Sequence, residues 1–311
     1  MINRHHLRVK LLQWLFASRQ QNQEDFRVVA QQFKASATTS LRSYVMVFRL
    51  LDSLIFYAGI RWEERQGRHL EENRNPGPAH ALAHNPLANL LAEDPQYASA
   101  LQFTGLENLE ISTDMLRAMF EAVSEGTCSS AKNLALDTLG GLRVFFDKCI
   151  AGGDWYPSWQ QEHNLYWDSD RYLIDRQVLQ TLDRIQNGAG FPDTKAMLLS
   201  WQSEDTMIQT MLEALLGNPS IHMDRIEKHA GLWDPERLAR MDLLLIQMAC
   251  TEWLLLPDVP VKVTMNEYIE LAKTFSTPQS SSFINGLLDK IKADLLREGL
   301  IQKTGRGLVE S

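Results

Sequence analysis

Residues 257–291, PDVPVKVTMNEYIELAKTFSTPQSSSFINGLLDKI, read as two helices joined by a short polar turn. Met265, Tyr268, Ile269 and Ala272 recur at the i, i+3, i+4, i+7 spacing that gathers apolar side chains on one helical face. Beyond Ser276-Thr277-Pro278-Gln279-Ser280 the beat resumes in four-residue steps at Phe283, Leu287, Ile291 and Leu295. Each helix has one apolar side to bury, and so short a turn sets the pair antiparallel. Thr264 with Glu267 fits a capping box, whereas Pro260 suits an earlier helix start, and both remain open at this level.

Outward from this pair, helical periodicity dominates and strand-like alternation is scarce, so the whole chain reads as all-α. The pattern predicts an amphipathic leading helix over 3–19, with Arg4, Arg8 and Lys10 off its apolar side. A second helix is expected over 38–57 with Gly59 as its stop, then helices over 87–92, 112–124, 131–150, 170–185, 203–216 and 220–230. Asp234-Pro235-Glu236-Arg237 combines a capping carboxylate, a first-turn proline and an acid at the helix dipole's positive end, and opens a helix to about 256. The stretch 63–86 is the most loop-like, and the glycine-bearing tail 299–311 suits a small hairpin or a segment that trails over the surface.

Charge narrows the functions on offer. A net −8 over 311 residues disfavours indiscriminate binding to a polyanion, so nucleic-acid contact has to be local. The basic side chains Arg4, Arg8, Lys10 and Arg19 precede the first acid, Glu24, and provide such a locality. Cys128, Cys149 and Cys250 are widely spaced and odd in number, which argues against a disulfide framework and a cysteine zinc site. No apolar run approaches a membrane span and the N-terminus lacks a cleavage site, so a cytoplasmic location without membrane contact is expected. No phosphate-binding glycine loop or nucleophile elbow occurs, and His80 and His84 lack the glutamate of a zinc-protease helix. No catalytic residue, cofactor or metal is expected.

The order of residues in 257–291 says more than its periodicity. Asp258-Val259-Pro260, Lys262-Val263, Asn266-Glu267, Ile269 to Lys273 and Phe275, followed by Phe283-Ile284-Asn285-Gly286-Leu287-Leu288-Asp289-Lys290, resemble the C-terminal half of the NusB family of bacterial transcription antitermination factors. Two further blocks resemble it: Arg4-His5-His6-Leu7-Arg8 with Gln13-Trp14-Leu15-Phe16, and 237–256 with its Ala249-Cys250-Thr251-Glu252-Trp253 ending. Ordinary members are much shorter. The resemblance therefore implies N-terminal NusB-like helices over 1–60, a helical insertion over 61–191 of the kind found in long Bacteroidetes members, a C-terminal NusB-like subdomain over 192–298 and a tail over 299–311.

The resemblance implies an RNA-binding factor that pairs with the ribosomal protein NusE on boxA-like single-stranded RNA. It acts within the RNA polymerase antitermination complex during ribosomal RNA synthesis. Members occur as monomers and as dimers, so a homodimer is among the expected assemblies. By position, Arg4, His5, His6 and Arg8 would form the basic face, Lys262 would add a cation, and Gln279 and Phe283 would offer a polar edge and a stacking ring. Histidine at 5 and 6, where the family carries arginine, makes that charge dependent on pH. Asp242 would face the NusE partner.

Each assignment has a plainer counterpart. Lys262 equally suits neutralising Asp258, Phe283 equally suits the core, and Asn285-Gly286 suits close helix packing. The rival to RNA binding is a non-catalytic protein-binding scaffold. An exposed cluster of Trp155, Tyr156, Trp159, Tyr166 and Trp167 would favour it, although burial of that cluster as core is the expected outcome.

Overall fold

The structure is a computed structural model that describes residues 4–21, 25–66, 77–124, 134–203, 205–230 and 239–308. Among these there is no strand. In chain order the helices are α1 Arg4–Gln21, α2 Phe26–Gln66, α3 Pro78–Ala83, α4 Leu87–Ala92, α5 Pro95–Thr104, α6 Thr113–Ser124, α7 Leu139–Phe145, α8 Trp155–Gln161, α9 Trp167–Gln186, α10 Thr194–Ser203, α11 Asp205–Gly217, α12 Met223–Ala230, α13 Arg240–Leu255, α14 Val261–Phe275 and α15 Pro278–Arg297. A π turn, Phe146–Ile150, continues α7. The all-α reading holds. The chain divides into two compact units, Ser36–Leu199 and a second made of Ile2–Ala35 with Ser200–Ser311.

The core of the first unit is built on α2. Val45, Met46, Val47, Phe48, Leu50, Leu51 and Leu54 are all fully buried, so this helix is apolar on most of its circumference. By length and composition it could cross a membrane, but 61% of that apolar window is buried inside the protein, as for a central core helix. The helix runs far beyond the expected 38–57 and passes through Gly59, where a Cβ would meet nothing within 4 Å. Glycine costs a helix only about 1 kcal/mol, too little to stop one with four buried turns behind it. The expected 131–150 helix is shorter: Thr138 caps α7 by accepting from the Gly141 amide, and 125–133 lie outside the described residues.

Polar ties set the register of this apolar core. Asp94 caps α5 through the Gln96 amide and also accepts from the Phe191 amide at 2.6 Å, seating Phe191 against Tyr44, Phe48 and Tyr97. Tyr156 and Trp167 are fully buried, with Trp155 and Trp159 packed on the same core, so the aromatic cluster is interior rather than a docking patch. Cys149 is disulfide-bonded, contrary to the expectation of unlinked cysteines, whereas Cys250 of the second unit is buried and free.

The second unit surrounds α13, in which every residue from Leu244 to Trp253 is buried. Helices α1, α11, α14 and α15 pack on it. The Asp234 start signal lies outside the described residues, where the described helix opens at Arg240. The α14–α15 pair is antiparallel, with Lys292 Nζ near the far end of α15 3.5 Å from Met265 Sδ near the start of α14. Pro260 precedes α14 in extended conformation, which resolves the two candidate starts in favour of the earlier one. Gly299, at φ +69, ends α15 in the left-handed turn that lets the Leu300 amide reach the Leu295 carbonyl. The tail then straps back, the Thr304 amide donating to Pro257 O at 2.9 Å.

Two outcomes follow from this packing. Gly59→Ala raises stability by about 0.5–1 kcal/mol, because the site is helical and open; a lower urea midpoint would contradict the geometry. His222 sits at φ +67 beside Thr251, and burial, then Arg225, push its pKa down to about 4. The folded state therefore holds the neutral ring, so stability is full above about pH 6.5 and falls by at most about 3 kcal/mol towards pH 4. His222→Asn, which tolerates positive φ, removes that slope in pH-resolved urea titrations.

Candidate nucleic-acid interface

The first turns of α1 lie against the start of α14 and the end of α13. Arg8 is 1% exposed, and its guanidinium grips fully buried Glu252 with two hydrogen bonds, Nε to Oε2 at 2.8 Å and Nη2 to Oε1 at 2.7 Å. Glu252 also accepts from Thr264 Oγ1 at 2.7 Å and Tyr268 OH at 3.0 Å. This carboxylate thus has four donors, as a buried charge requires. Burial opposes the charge on Arg8, but the facing Glu252, aided by Tyr268 and Glu267, raises its pKa above the ordinary value.

One shell outward the groups are wetter. Glu267 Oε2 lies 2.8 Å from His5 Nδ1 and 3.4 Å from Arg8 Nη1. Partial burial works against its ionisation, yet the His5 hydrogen bond and the Arg8 charge hold its pKa below the usual carboxylate value. Arg4 Nη2 donates to Asp258 at 2.7 Å, with both side chains well exposed, and Arg4 likewise outweighs burial in lowering the Asp258 pKa. Arg4, His5, Val259, Pro260 and Val263 line a shallow groove of about 200 Å³. Lys262, between Val261 and groove-lining Val263, is exposed.

The structure redistributes the expected site. Arg4 and His5 come together at the groove, whereas Lys262, in the first turn of α14, is exposed but does not line it. Arg8, His6 and Lys10 are buried, so the leading helix does not present a continuous basic face; Glu252 supplies the reason for Arg8. Asp242 is also buried. It accepts from Ser280 Oγ at 2.7 Å and from Ser276 Oγ, tying the α14–α15 turn to α13 instead of facing outward to a partner. Gln279 is exposed at that turn and Phe283 is half-buried one helical turn further on. The turn lies about 20 Å along α14 from the groove, so the candidates form two places and not one. Gly286 is exposed with open space around it, which removes the close-packing role.

Sequence reasoning passed over Glu252, although a signal was present. It is a lone acid inside LLLIQMACTEWLLL, and a carboxylate so placed demands a buried cation.

The NusB family profile matches residues 192–293. Proteins named transcription antitermination protein NusB align with this chain from three sources. That of Salinibacter ruber is 50% identical over 84 residues, 27% of this chain and 52% of the relative. That of Chloroherpeton thalassium is 47% identical over 85 residues, 27% and 40%. That of Bacillus licheniformis is 37% identical over 97 residues, 31% and 75%. The chain thus spans about half the length of the first two. No solved structure matches it significantly.

The buried pair makes a sharp demand on stability. Arg8→Ala leaves Glu252 charged and unpaired, and costs about 3–5 kcal/mol. Arg8→Met with Glu252→Leu recovers most of that loss in urea unfolding; a double variant as unstable as the single one would mean the pair's polar geometry is itself required.

Proposed function

Because this chain belongs to the NusB family, we propose that it is a non-catalytic RNA-binding antitermination factor. It takes boxA-like single-stranded RNA together with NusE, within the RNA polymerase antitermination complex during ribosomal RNA synthesis, and therefore acts in the cytoplasm. The observation that carries this reading is the alignment with most of a NusB from Bacillus licheniformis. All of α14, and α15 except for its last turn, lie within the family match. On the same reading 61–191 is the insertion and 192–298 the family subdomain.

The geometry refines which side chains meet the RNA. Arg4 at the groove, and exposed Lys262 next in sequence to groove-lining Val263, are the groups proposed to take phosphates, with His5 adding charge when protonated. Arg8 acts by holding α1 in place. Gln279 and Phe283 are a second contact point, reached only by RNA that runs the length of α14. Arg4 is already engaged by an ionised Asp258, which competes with phosphate and weakens affinity.

That engagement also favours the second reading, a protein scaffold in which RNA binding has faded. Arg4, His5 and Arg8 all have acidic partners within the fold.

Fluorescence anisotropy with a boxA-like RNA, with and without NusE, separates the two. Arg4→Ala/Lys262→Ala is expected to weaken binding about tenfold and to lower the log–log salt slope by roughly 1.4, about 0.7 for each phosphate that is no longer neutralised. Asp258→Asn, which removes that carboxylate's competition for Arg4, tightens binding. Absence of RNA binding with NusE present would leave the scaffold.

A further inference from the structure

A second concavity lies wholly within Ser36–Leu199 and contains none of the residues proposed to meet RNA. It is a groove of about 800 Å³ along the last half of α2. Its α2 wall uses positions 49, 52, 53, 56, 57, 60, 61 and 64, one helical face about 22 Å long. The other wall is 109–117, the approach to α6 and its first turn. At mid-groove Phe56 is 70% exposed and Ile60 40% exposed, two large apolar side chains left uncovered on the second half of α2. An apolar strip of this kind, rimmed by charges, marks a place where another apolar surface sits.

Charge selects the occupant. Ser36–Leu199 carries 14 lysines and arginines against 21 aspartates and glutamates, so it holds −7 of the chain's net −8. At the groove itself each arginine is already held from within: Arg49 by Asp52, Arg61 by Glu64 and Arg117 by Asp114. With Glu110 the lining holds three arginines and three carboxylates, and Asp114 lies just outside it on Arg117. With its own charges balanced, the groove takes its sign from the −7 of the unit around it, which repels polyanions, nucleic acid and anionic lipid alike, and attracts a cationic segment.

We propose that this groove docks a basic amphipathic helix of a protein partner, with its apolar stripe over Phe56 and Ile60 and its lysines or arginines against Glu64, Glu110 and Asp114. A four-turn wall matches a helix of about 15 residues laid in a groove through i, i+3, i+4 and i+7 anchors. The docking site is separate from the RNA-binding reading and does not depend on it.

The test uses the full-length protein and a labelled 15-residue Leu/Lys peptide with an i, i+3, i+4, i+7 leucine stripe. A scrambled peptide of the same composition and a Leu/Glu counterpart serve as controls. Wild type is expected to bind the amphipathic Leu/Lys peptide about tenfold or more tightly than the scramble, and Phe56→Asp to lose that preference. Glu64→Lys/Glu110→Lys shifts preference towards the Leu/Glu peptide. Phe56 points largely to solvent, so Phe56→Asp keeps its circular dichroism and its boxA-like RNA affinity. Equal binding of the scramble, or undiminished binding by Phe56→Asp, overturns the proposal. So does a loss in Phe56→Asp of RNA binding, of binding to anionic vesicles, or of self-association, which would assign the groove to nucleic acid, membrane or a second copy.

Discussion

The buried pairing of Arg8 with Glu252 is the constraint on which the second unit depends. Two charges withdrawn from water are tolerable only when attraction and hydrogen bonds offset a desolvation cost of several kcal/mol per ion. Here the offset is complete for the carboxylate, which receives Arg8 Nε and Nη2, Thr264 Oγ1 and Tyr268 OH. The four donors come from three places: Arg8 on the leading helix, Thr264 in the first turn of α14 and Tyr268 in its second turn. One carboxylate on α13 therefore fixes where α1 starts and how α14 is rotated. An apolar residue of equal size would bury as well but would accept several rotations of both helices.

That arrangement decides what remains for binding. With Arg8 committed inward, the outward chemistry at this end is Arg4 with Asp258 and His5 with Glu267, at a proline-lined groove. Asp242 performs a similar structural task at the far end of α14, where its two serine contacts close the turn into α15. The two ends of α14 are thus each secured to α13 by one buried carboxylate. Exposed candidates sit just outside both ties. This explains why positions that look like one motif in sequence are separated by the length of a helix.

The first unit solves a different problem. Its core is nearly uniform in apolar character along α2, which specifies burial without specifying neighbours. Specificity comes from polar groups such as Asp94, which caps α5 and holds the Phe191 amide, and Asn85, which donates to the Leu136 and Thr138 carbonyls. Its charge differs too, with almost all of the chain's excess negative charge in Ser36–Leu199. A polyanion is repelled there and tolerated by the nearly neutral second unit, so one chain can keep nucleic acid to one unit and offer the other to cationic surfaces.

By itself the sequence determined the helical class, the α14–α15 pair, its turn and the family, because periodicity and residue order are local properties. It also contained the clue to the buried pair, an acid alone in the apolar run 243–256, without naming the partner 244 residues away. Helix ends were less legible. Gly59 reads as a stop, yet tertiary burial of α2 outweighs a local cost of about 1 kcal/mol. Only the tertiary structure decided which charges face water. Arg4 and Arg8 are one helical turn apart with the same side chain. One is exposed on Asp258 and the other buried on Glu252, because burial and charge pairing depend on what the rest of the chain brings opposite.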